Sequence, residues 1–182
     1  MEAVKSSQEK SGSNIAWFKL SQLVSRGEKE KALGLYKLLS YSLDDKAYAL
    51  QVEGDLLWAF GDDKDAVERY MQAAYLYKKD QKIVSSAGVY EHIFLLEPEN
   101  YEILETLVEC YARLDWYERM QDRCEKLISL AEEKKLSKDR LLKIFKIAGE
   151  TYKFDNKKRS LKRFTNYLKT KGEDIASIAK LL

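Results

Sequence analysis

Five groups of side chains in this sequence could do chemistry. Glu102, Glu105 and Glu109, followed by Arg113, recur at spacings of three and four. That spacing puts them on one helical face as an acidic ridge, with too few cations at i+4 to neutralise it. Such a ridge attracts a basic peptide or helix. Lys157, Lys158, Arg159, Lys162, Arg163, Lys169 and Lys171 form the opposite, a cationic run with no acid among them. It could dock an acidic partner, a phosphate backbone or an anionic surface. The single histidine, His92, stands beside Glu91 without a signalled nucleophile or water site, and reads as a surface or partly packed residue. Cys110 and Cys124 lack a CxxC or Cys/His partner and read as reduced thiols at apolar helix positions. Asp62-Asp63-Lys64-Asp65 lacks the glycine and final glutamate of a calcium loop, and suits a helix N-terminus instead. No phosphate-cradling, dinucleotide or zinc-protease motif is present. The residues imply no enzyme, no cofactor, no metal and no small-molecule substrate.

The elements that carry these groups are helical. The chain has 182 residues with 45% apolar and 34% charged side chains, and a single proline to interrupt helices. No alternating run marks a strand, so the expected class is all-α. No apolar run approaches the roughly 18 residues of a membrane span. Residues 1–14 lack the apolar core of a secretory signal and read as a disordered leader. Reduced thiols point to the cytoplasm. Charge is uneven: residues 1–84 are neutral, 85–133 carry net −8 and 134–182 carry net +10. Two distinct surfaces are expected from this asymmetry.

Periodicity predicts helices over 15–26, 28–42, 46–60, 63–79, 82–96, 99–113, 116–133, 138–153 and 156–171, with a short one over 174–181. The first buries Trp17, Leu20, Ser21 and Val24; Gly27 ends it. The third buries Leu50, Gly54 and Leu57, where Gly54 predicts close backbone approach by the next helix. Small residues repeat from Ser21 to Gly54 and from Ala74 to Val108 at 33 and 34 residues, but only 20 separate Gly54 from Ala74. The repeat therefore jumps by about one helix, and the first pair reads as one residue short in its turn. The helix over 63–79 serves as the second member of the pair before it and the first member of the pair after it.

Within that central stretch, Tyr70, Ala73, Ala74 and Tyr77 stand in one helix, Ser86, Tyr90 and Ile93 in the next, and Glu97-Pro98-Glu99-Asn100 closes the pair. This resembles the tetratricopeptide repeat. The resemblance runs over about residues 15–170, closest over 47–100 and loosest over 138–170. It implies a right-handed superhelical α-solenoid of antiparallel helix pairs, about ten helices in all, over 15–171, with residues 172–182 as a capping helix. It also implies a protein–protein interaction scaffold that docks a partner peptide or helix in a concave groove lined by the first helix of each pair. Groove candidates are Tyr48, Asp55, Trp58, Tyr75, Glu102, Glu105, Glu109 and Arg113. The glutamates depart from the subclass that clamps a C-terminal carboxylate with Lys, Asn and Arg, and would repel such a ligand. Two alternatives stand beside this reading: a chaperone for a secreted or aggregation-prone partner, and nucleic-acid or anionic-surface binding through the basic helix 156–171.

Overall fold

The structure, a computed structural model, describes residues 2–134, with side chains over 14–127 and at 129 and 130. These residues form α1 (Glu2–Ser25), α2 (Lys29–Ser40), α3 (Lys46–Ala59), α4 (Asp63–Lys79), α5 (Ile83–Leu96), α6 (Tyr101–Arg113) and α7 (Tyr117–Lys134). No strand occurs among them. The chain divides between Asp80 and Gln81 into two compact units, the first holding α1 to α4 and the second beginning with α5. The helices expected over 138–153, 156–171 and 174–181 lie outside the described residues, as does the expected capping segment 172–182.

The boundaries of α2 to α7 match the periodicity to within two residues. The start of α1 does not. It begins at Glu2, so the leader expected to be disordered is helical. Ala3, Lys5, Gln8, Glu9 and Lys10 favour helix, and no proline intervenes. The stretch has no apolar stripe, so periodicity could not mark it.

The helix ends reveal the repeat. Gly27, Gly61, Gln81 and Asp115 adopt positive φ, at 70°, 78°, 59° and 56°. At Gly27 the backbone N–H groups of Gly27 and Glu28 donate to the carbonyls of Val24 and Leu23, each at 2.9 Å. Gly61 and Asp62 bond in the same way to Trp58 and Leu57, and Asp115 and Trp116 to Ala112 and Tyr111. These paired bonds satisfy carbonyls that a helix C-terminus leaves open. Seven residues before the four turns stand Leu20, Gly54, Ala74 and Val108, all buried. Five residues after them stand Ala32, Ala66, Ser86 and Met120, and nine after them Tyr36, Tyr70, Tyr90 and Cys124. Twelve after them stand Leu39, Ala73, Ile93 and Leu127. Every one of these is buried. The turns lie 34 residues apart within each unit, from Gly27 to Gly61 and from Gln81 to Asp115, and 20 apart between Gly61 and Gln81. The described residues are a tetratricopeptide-like helical repeat with a break in phase.

This register corrects the reading of the first pair. Ser21 is exposed, and its hydroxyl donates to the Phe18 carbonyl at 2.8 Å. Leu20 holds the buried position instead. Counted from Leu20, the first pair has the same turn as the others. The expectation at Gly54 also changes in detail. A Cβ there would lie 2.7 Å from Cδ1 and Cε1 of Tyr70, so the close neighbour is an aromatic ring of α4. Leu50, expected in the same buried stripe, is only half-buried. In the first unit Leu20, Leu23, Ala32, Tyr36, Leu39 and Leu56 form one apolar cluster. Trp17 tilts against Tyr36 with ring centroids 6.2 Å apart.

Candidate partner-binding surfaces

The turn register also sorts the outward side chains. Thirteen, ten, six and three residues before each turn, α3 carries Tyr48, Gln51, Asp55 and Trp58, and α6 carries Glu102, Glu105, Glu109 and Ala112. The same positions of α4 carry Glu68, Met71, Tyr75 and Lys78; those of α1 carry Asn14, Trp17, Ser21 and Val24, of which Trp17 and Val24 pack against the apolar cluster instead. Seven of the eight expected residues thus occupy equivalent places, and Arg113 stands one position off. Gln51, Glu68, Met71 and Lys78 complete the same stripes but escaped the sequence reading. The left-handed turns would have found them, yet two of the four turns carry Gln and Asp where glycine is the usual marker. Tyr48, Trp58 and Tyr75 are exposed, at 47%, 37% and 66%. Glu102 is exposed, while Glu105, Glu109 and Asp55 are half-buried.

In the first unit, the α3 face is held in place from beneath. Asp45 caps the helix, accepting from the backbone N–H of Ala47 at 2.9 Å and of Tyr48 at 3.1 Å. Three buried tyrosines then tie α3 to its neighbours. The hydroxyl of Tyr36, from α2, donates to the Ala49 carbonyl. From α4, Tyr70 donates to Asp55 Oδ1 at 2.7 Å and Tyr77 to Gln51 Oε1 at 3.2 Å. One oxygen of Asp55 is therefore committed inside the unit, which limits its use as an outward contact. Burial raises the phenol of Tyr70 well above the ordinary range, and the bond to Asp55 adds to the rise. Burial likewise raises Tyr36, with the charge of Glu53 the next cause.

In the second unit, Asn100 caps α6 by accepting from Glu102 N–H at 3.1 Å and Ile103 N–H at 3.3 Å. Its own side-chain amide donates to Glu97 at 2.8 Å. An open depression beside this cap is lined by Glu97, Pro98, Glu99, Asn100, Tyr101 and Glu102. The guanidinium of Arg113 donates to Gln81 Oε1 at 2.9 Å. The inner side of α6 is braced through Glu91 of α5. Tyr111 donates to Glu91 Oε1, and Arg123 of α7 grips both carboxylate oxygens at 3.0 and 2.6 Å. Arg123 also lies over the Phe94 ring at 4.6 Å, Trp116 stacks on Tyr111 at 5.8 Å, and Arg119 covers Trp116 at 5.1 Å.

Cys110 and Cys124 are buried. Burial pushes the Cys124 thiol far above its usual range, which suppresses the reactive thiolate. Among the described residues no three His, Cys, Asp or Glu side chains converge as a metal site, and no helix is long and apolar enough to cross a membrane. The expected basic surface of Lys157, Lys158, Arg159, Lys162 and Arg163 lies outside the described residues.

No family model matches the sequence, and a search of curated proteins returns no match. Solved structures similar to this chain include YrrB, described as a TPR protein with an unusual peptide-binding site. It shares 15% identity over 90% of this chain and 89% of its own, with a TM-score of 0.42. The MamA RS-1 ArsTM double mutant shares 15% identity over 93% of both chains, with a TM-score of 0.40. A tetratricopeptide repeat protein from Parabacteroides merdae shares 17% identity over 93% of this chain and 72% of its own, also with a TM-score of 0.40.

Proposed function

We propose that the chain is a non-catalytic protein–protein interaction scaffold that docks a peptide or helix of a partner protein on groove positions of its first helices. The observation that carries this reading is the shared register of the outward positions. Counted back from the turn that governs each helix, Tyr48, Asp55 and Trp58 of α3, Tyr75 of α4, and Glu102, Glu105 and Glu109 of α6 fall at matching offsets, which supports the reading. The α3 face offers aromatic anchors of the kind that dominate binding energy in interfaces. The α6 face offers carboxylates, which select a cationic segment and speed its encounter. Helix caps and buried tyrosine tethers fix both backbones in advance, which lowers the entropic cost of docking.

The test begins with capture of partners from nuclease-treated source lysate and their identification by mass spectrometry. Affinity for the leading partner is then measured by calorimetry at two salt concentrations. Glu102/Glu105/Glu109→Lys should weaken it at least tenfold, about 1.4 kcal/mol, and should abolish its salt dependence. Tyr48/Trp58→Ala should weaken it without changing the salt slope. Wild-type affinity in both variants, or capture of nucleic acid alone, would refute the proposal.

A further inference from the structure

We draw no further inference here: the strongest candidate, the outward stripe of α5 formed by Val84, Gly88 and Leu95, is an exposed apolar face and nothing in the structure shows what covers it.

Discussion

Replacing Gly54 with alanine should destabilise the first unit, although the same change in a helix ordinarily stabilises it. An alanine in mid-helix gains about 1 kcal/mol over glycine in propensity. At Gly54 the added Cβ would meet Cδ1 and Cε1 of Tyr70 at 2.7 Å and Cγ at 3.2 Å. Carbon atoms pack best at about 3.5–4.0 Å, so the ring must retreat by close to an ångström. It has little room to do so, because Tyr70 is fully buried and its hydroxyl is held by Asp55. Overpacking of this kind costs about 1–3 kcal/mol, and loosening a hydrogen bond to a charged acceptor adds about 1 kcal/mol or more. The net expectation is a loss of about 1–3 kcal/mol. Gly34 and Gly88 supply internal controls, since a Cβ at either meets nothing within 4 Å. Gly34→Ala and Gly88→Ala should each gain about 0.5–1 kcal/mol. Urea unfolding followed by helical circular dichroism reads the difference as opposite shifts in midpoint at an unchanged slope. Combining Gly54→Ala with Tyr70→Phe frees the ring, so the two losses should sum to less than their separate values. If Gly54→Ala gains stability as Gly34→Ala does, the packing argument at the α3–α4 contact is wrong.

Alkaline pH should unfold the protein cooperatively. Burial raises the folded-state phenols of Tyr36, Tyr70, Tyr77, Tyr90 and Tyr111 above 10. A raised folded value means that their stability is intact below pH 10 and lost as pH climbs from there toward the folded value. Each contributes a loss of roughly 1.4 kcal/mol per pH unit in that window. Phenolate absorbance should therefore rise together with loss of helix, and ionisation of all twelve tyrosines at full helicity would contradict this. The turns predict a reciprocal pair of effects. Gly61→Ala places a side chain at φ 78° and should cost about 1 kcal/mol, while Gln81→Gly relieves φ 59° and should gain up to about that much, less the bond from Arg113. Thermal melts of the two variants check both signs. Ala73→Leu and Ala74→Leu should each cost about 1–3 kcal/mol by overpacking, because both alanines are fully buried. Tolerance of either substitution in a denaturation series would show that its register is not under packing constraint.

Much of the architecture was legible because apolar periodicity and helix ends agree over α2 to α7. Pro98 marks the break before α6 and suggests a start at 99, whereas the helix begins at Tyr101 with Asn100 as its cap. The register of the first pair was harder to read. Ser21 is the small residue that a motif reader prefers, but Leu20 is the one facing inward, and a one-residue choice shifts the whole turn. The contacts of Asp55 and Arg113 were not legible either. Both looked like outward charges, yet each is engaged by a residue 15 or 32 positions away. Periodicity gives the face of a helix and says nothing about what lies across it. The Glu91–Tyr111–Arg123 cluster escaped for the same reason, since its members come from three helices.

The break in phase places a specific demand on α4. Counted from Gly61, its buried positions are Ala66, Tyr70 and Ala73, those of a second helix. Counted from Gln81, they are Ala74 and Tyr77, those of a first helix. All five are buried in α4, with Tyr77 the most exposed at 4%. The positions of both registers are adjacent on α4, and their joint burial leaves little arc for solvent. The composition follows from that geometry. Alanine at 66, 73 and 74 keeps helix propensity high while allowing close packing, and tyrosine at 70 and 77 fills volume yet carries a hydroxyl that can reach α3. The outward arc that remains carries Met71 and Tyr75, at 42% and 66% exposure. In the register of Gln81 they stand ten and six residues before the turn, the places that Gln51 and Asp55 hold in α3, so the proposed groove would draw on α4 as well.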